Sequence, residues 1–129
     1  MDLNMILKEK SILEWEIYKH VSNWIQLRFP GIIYHFDYGS GLKMTKGQAR
    51  KQKLINPKRG FPDLFIAEAR GGYHGLFVEI KRSPKIYENE HVREQRKVLK
   101  ELEKRGYMAV MVGGLENVIN TIQNYLNLK

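Results

Sequence analysis

The stretch from Gly60 to Arg82, GFPDLFIAEARGGYHGLFVEIKR, constrains this chain more than any other part of it. Asp63 to Ala69 and Leu76 to Lys81 are short β-type runs on either side of Gly71-Gly72, a turn signal, so the stretch predicts a β-hairpin. Pro62 has no amide proton to give to a ladder, which places the start of the first strand there. In an antiparallel hairpin the start of the first strand lies beside the end of the second. Side chains alternate along a strand, so Glu79 and Lys81 share one face and Ile80 takes the other. A register that pairs Asp63 with Glu79 puts Asp63, Glu79 and Lys81 on one face, whereas a slip of one residue or a bulge breaks the arrangement.

Two carboxylates and an ammonium on one small patch are costly without a partner. Paired carboxylates suit a hard cation, Mg²⁺ or Mn²⁺. Such an ion activates a water and neutralises charge on a phosphoryl oxygen, and Lys81 would orient the water or meet the developing charge. The plainer alternative is a surface hairpin carrying a cross-strand ion pair.

The length, 129 residues, suits one domain spanning 1–129 with a core of useful size. No segment is apolar enough to span a membrane, and MDLNMILKEK lacks a signal-peptide core, so no membrane partner is expected. The absence of cysteine excludes a disulfide framework and thiolate chemistry and fits a cytoplasmic location. His20, His35, His74 and His91 show no paired zinc-ligand spacing and read as surface or packing residues. The formal charge is +8, and it is uneven. Between Gly39 and Pro62 there are seven bases (Lys43, Lys46, Arg50, Lys51, Lys53, Lys58, Arg59) and no acid. A basic loop leading into an acidic pair suggests a polyanion delivered to a metal, with Lys46, Arg50, Lys51, Lys53, Lys58 and Arg59 as its candidate contacts. A solvated basic loop with no partner is the alternative.

Helical spacing of apolar residues predicts a first helix from Lys10 to Phe29, with Ser11 as N-cap and Glu14 completing a capping box, ended by Pro30-Gly31. Ile32 to Tyr38 reads as a strand closed by Gly39-Ser40-Gly41. Leu42 to Gly60 reads as basic and irregular, with room for a short helical piece. A second helix is predicted from about Glu90 to Arg105, with Val92, Val98, Leu99 and Leu102 on its apolar stripe. Gln95 falls on the same stripe, where a polar amide needs a partner or marks the stripe's edge. A strand from Tyr107 to Val112, a turn at Gly113-Gly114 and an amphipathic helix from Leu115 to Leu128 follow. The order αβββαβα predicts an α/β fold, one sheet flanked by helices.

With these residues in place, the chain resembles the PD-(D/E)XK nuclease superfamily, a restriction-endonuclease-like core with a central mixed sheet. Within it, the chain looks most like the small stand-alone VRR-NUC domains of phage and bacteria. The resemblance runs from about Ser11 to Leu126 and rests on Glu16-Ile17-Tyr18, Gly60-Phe61-Pro62-Asp63, Glu79-Ile80-Lys81 and Gln95. Tyr18 stands where that group has glutamine, and the segment from Arg82 to Glu94 is longer than its usual connection. The resemblance implies that Asp63, Glu79 and the backbone carbonyl of Ile80 hold the metal, that Lys81 positions the attacking water, that Glu16 acts through water or a second metal, and that Gln95 supports the site. Glu14 is the rival helix-one acid; Glu16 is preferred for its neighbour Ile17. The implied products are a 5′-phosphate and a 3′-hydroxyl.

The leading expectation is therefore a Mg²⁺- or Mn²⁺-dependent DNA endonuclease, selective for Holliday junctions or other branched DNA and acting as a homodimer, in the host-cell cytoplasm if phage-encoded. A dimer suits a four-way junction because two symmetric cuts need two symmetric sites. A restriction-type or nicking nuclease of the same fold is the second reading. The third is a nucleic-acid-binding module with a vestigial site.

Overall fold

The structure, a computed structural model, describes residues 13–38 and 43–129. Its elements are α1 (Glu14–Arg28), β1 (Tyr34–Phe36), α2 (Lys46–Ile55), β2 (Leu64–Ile66), β3 (Leu76–Lys81), α3 (Glu90–Lys104), β4 (Met108–Gly113) and α4 (Leu115–Leu126). They form one four-stranded sheet in the order β1-β2-β3-β4. The first three strands are antiparallel, and β3 pairs parallel with β4 after the α3 crossover. The expected α/β fold with a mixed sheet flanked by helices is the one found.

The two sides of the sheet follow the period-two pattern of the strands. Leu64, Ile66, Leu76, Val78 and Ile80 face a core built with Ile17, Val21 and Ile25 of α1 and Val118 and Ile122 of α4. Phe65 and Phe77 face the other side, against Leu99 and Leu102 of α3. Their rings stack at 4.4 Å between centroids. Being covered on both sides, β3 is buried along its length down to Ile80. Each fully buried aliphatic side chain contributes about 1.5–3 kcal/mol relative to an exposed one, so the core can carry a site that is itself electrostatically unfavourable.

Where the basic segment left room for a short helical piece, the structure has a full helix, α2, so the order among the described residues is αβαββαβα. No residue of α2 is buried. It therefore shows no apolar period, which is why periodicity passes it over. Its local signal is a capping box: Thr45 Oγ1 accepts from the Gln48 amide at 3.1 Å, and Gln48 Oε1 accepts from the Thr45 amide at 2.9 Å. The strands are also shorter than their β-type runs. β1 is confined to Tyr34–Phe36 and β2 to Leu64–Ile66, because each extends only as far as it has a partner.

The first helix begins at Glu14, with Leu13 as an N-cap that makes no side-chain bond, so Glu14 does not close a capping box. The predicted cap Ser11, the helix start at Lys10 and the closing Gly39-Ser40-Gly41 lie outside the described residues. The second and last predicted helices and the strand between them are found within two residues of their expected ends. Asn89 caps α3 through its side-chain oxygen, which accepts from the Val92 amide at 2.8 Å.

Candidate active site

The hairpin register is Leu64↔Val78, Phe65↔Phe77 and Ile66↔Leu76. One step further on this register, Asp63 lies opposite Glu79, and one more brings Pro62 opposite Ile80. Proline has no amide to offer the ladder. The Ile80 amide donates to the side chain of Asp63, at Oδ2, at 2.8 Å. The same missing amide leaves the ladder with no donor for the Ile80 carbonyl. Pro62 thus does two things at the end of β2: it stops pairing, and it opens the strand end where the two acids meet.

Gly60 sets the approach to that point. Its φ is +89°, and a Cβ there would come within 3.3 Å of the Cα of Gln95 and of the Glu94 carbonyl. Any other residue is strained in this conformation and would push the loop off α3. The glycine before Phe61-Pro62-Asp63 therefore docks the loop on α3 at the turn that carries Gln95.

Gln95 is buried and joins the site by its amide. Its Nε2 donates to Glu79 Oε1 at 2.7 Å, and its Oε1 accepts from Lys81 Nζ at 2.6 Å. These two bonds fix which end of the amide is which, since the reverse orientation would set donor against donor at Lys81. Gln95 Nε2 also lies 3.2 Å from His91 Nε2. His91, read from the sequence as a surface or packing residue, thus lines the cleft and supports Gln95. A histidine four residues before Gln95 on the same helix face was the signal available for it.

The sequence preferred Glu16 as the helix-one acid over its rival Glu14. Glu14 lines the cleft, and Glu16 does not. Ile17, Val21 and Ile25 bury one stripe of α1, and Glu14 lies three residues before Ile17 on the edge of that stripe. Glu16 lies about 100° round the helix from Ile17, on the side away from the cleft. Tyr18 donates from its hydroxyl to Glu14 Oε1 at 2.6 Å and comes within reach of Asp63 as well. Burial and the bond to Glu14 hold that hydroxyl protonated. Tyr18 is itself held by stacking on Phe36 at 5.0 Å.

The cleft encloses about 480 Å³. Asp63 and Glu79 are 8% and 3% exposed. Burial raises the Asp63 carboxyl above its usual range, against the pull of the Ile80 amide. Burial, and then the neighbouring Asp63 charge, push Glu79 up to about 9 from 4.5. Lys81 Nζ, 3.8 Å from Glu79 Oε1, only partly offsets this. Glu79 Oε2 is buried with no hydrogen-bond partner.

An orphaned buried carboxylate oxygen beside a second carboxylate is an arrangement a hard cation satisfies. Among the described residues no three acidic or histidine side chains converge as a ready ligand cage. Asp63, Glu79 and the Ile80 carbonyl instead offer a partial oxygen set, which suits an ion that keeps several waters.

The raised Glu79 pKa has a consequence for stability. Metal-free folded protein holds a proton that the unfolded chain loses above 4.5, so this group's contribution declines as pH rises from there through about 9. Thermal midpoints in EDTA from about pH 5 to about pH 9 should fall less steeply for Glu79→Gln than for wild type. Equal slopes would show that Glu79 does not titrate in this way.

Of the expected basic contacts, Lys46, Arg50, Lys51 and Lys53 lie on α2, and Lys58 and Arg59 on the loop that leads to Asp63; all are exposed. None of them lines the acidic cleft. No described helix is long and apolar enough to cross a membrane.

No protein-family model matches the chain, and no curated protein matches it. A solved structure described as "VRR_NUC domain protein" is similar to it at a TM-score of 0.74 and 35% sequence identity, covering 92% of each chain. Identity at that level over nearly the whole length, together with the mixed sheet, places the fold among nuclease-type domains, and the chain belongs to the VRR-NUC family.

Proposed function

We propose that this chain is a divalent-metal-dependent DNA endonuclease that hydrolyses phosphodiester bonds in branched DNA as a homodimer. The observation that carries the reading is the buried Asp63–Glu79 pair in an open cleft, with Glu79 Oε2 unpartnered and Glu79 Oε1 3.8 Å from Lys81 Nζ.

Asp63, Glu79 and the Ile80 carbonyl would hold Mg²⁺ or Mn²⁺, which when bound supplies Lewis acidity at the phosphoryl oxygen and a more acidic water. The chain's own groups do the rest. Lys81, anchored to Gln95, orients the attacking water and stabilises charge that develops on the phosphate. Gln95 keeps Glu79 and Lys81 in fixed relative positions, which limits reorganisation during the reaction. Glu14, held by Tyr18, takes the helix-one role expected of Glu16 and faces the same cleft. The bases of α2 and of the Lys58-Arg59 loop supply the electrostatic attraction for the backbone. Two symmetric cuts at a junction call for two copies of this site.

The test is cleavage of a panel comprising four-way junction, splayed arms, flap, linear duplex and single strand, each with Mg²⁺, Mn²⁺ or EDTA. Cutting with either metal, none in EDTA, and a preference for branched DNA is the expected result. Cutting of linear duplex alone would favour a restriction-type or nicking enzyme. Binding without cutting under both metals would favour a vestigial, binding-only module.

A further inference from the structure

The cleft that holds Asp63, Glu79, Lys81 and Gln95 is also lined by Leu13, Trp15 and Tyr38, which are 49%, 46% and 47% exposed, with Glu14 and Asp37 among them. Exposed apolar side chains scattered singly are ordinary, but three lining one polar cleft are a feature that a partner would explain. Trp15 lies off the buried stripe of α1, so packing does not account for it. Tyr38 is set edge-on to Tyr18, 6.3 Å between centroids, and through Tyr18 is tied to Glu14. Lys19 Nζ stands 5.9 Å from the Trp15 ring centroid, a cation close to the aromatic ring.

Aromatic faces beside a cation are the elements that bind unstacked nucleotides, one base per ring and with little regard to sequence. In continuous duplex, base faces are already covered by stacking, and only an unpaired or extruded base offers one. A cleft of about 480 Å³ lies in the range that encloses a small-molecule-sized group. We infer that Trp15 and Tyr38 form a stacking platform for an unpaired DNA base beside the scissile phosphate, so that the substrate class is DNA with unstacked nucleotides at the cut. This rests on the nuclease reading for the position of the scissile phosphate, and it makes Trp15 a specificity-determining residue.

The experiment is a binding ratio measured in EDTA. Fluorescence anisotropy compares a fully paired duplex with a duplex of equal length and charge that carries a short unpaired bubble. Wild type is expected to favour the bubble. Trp15→Ala should lower that preference by roughly 5- to 100-fold, and Trp15→Phe should restore most of it. Leu27→Ala, on the same helix, 83% exposed and away from the cleft, should leave the ratio unchanged. Circular dichroism checks that each variant keeps its helices. An unaltered ratio in Trp15→Ala, or equal wild-type affinity for the two DNAs, overturns the inference. Because no metal is present, the two readings fail separately. A Trp15-dependent ratio without cleavage under any metal leaves the platform standing and removes the nuclease. Metal-dependent cleavage with a Trp15-independent ratio does the reverse.

Discussion

Asp63→Ala is expected to abolish DNA cleavage, by on the order of 10³-fold or more in kcat, while DNA binding stays equal or tightens. Asp63 gives one of the two carboxylates of the pair, and removing it leaves Glu79 without the partner that the proposed divalent site needs. Binding should not suffer, because the change takes negative charge away from the place where phosphate must approach. Asp63→Asn controls for folding. It keeps one oxygen for the buried Ile80 amide, which Asp63 now satisfies at 2.8 Å, while it loses the charge and exchanges the other oxygen for a donor. Both variants should bind and neither should cut. Gel cleavage and anisotropy on the same junction DNA decide it, and normal cutting by either variant would mean that the chemistry lies elsewhere.

The second large effect separates the two acids of α1. Glu14→Gln should reduce cleavage by roughly 10- to 100-fold, the range typical of a group that supports a metal site, and Glu16→Gln should stay close to wild type. Glu14 lines the cleft and accepts the Tyr18 hydroxyl at 2.6 Å, whereas Glu16 lines nothing of the site. Single-turnover rates with saturating Mg²⁺ make the comparison. A loss confined to Glu16→Gln would restore the acid preferred on sequence and would mean that α1 turns when DNA binds.

How far the sequence carries can be read from these same residues. The hairpin was legible because its information is local. A period of two, a glycine turn and one proline leave little freedom in register, and Asp63, Glu79 and Lys81 follow from it. Gln95 could be singled out as a polar residue on an apolar stripe. Its partners could not be named, because they come from β3, and the meeting of α3 with β3 is settled by packing. The α2 helix was hidden for a different reason: it forms from a capping box and good helix-forming residues such as Ala49, Lys51 and Leu54, not from a buried face.

What the sequence determined by itself is the class of fold, the strand pair that presents two acids and a lysine, and the proline that marks where the first strand's pairing stops. Those are short-range facts, enforced by steric limits on φ and by missing amide protons. The tertiary structure alone decided which glutamate of the first helix faces the acids, that Tyr18 holds it, that His91 backs Gln95, and that Trp15 and Tyr38 wall the same cleft. Each depends on the rotation of a helix about its axis or on a contact between distant elements, and both are set by how the whole core closes around Ile17, Val78 and Val118.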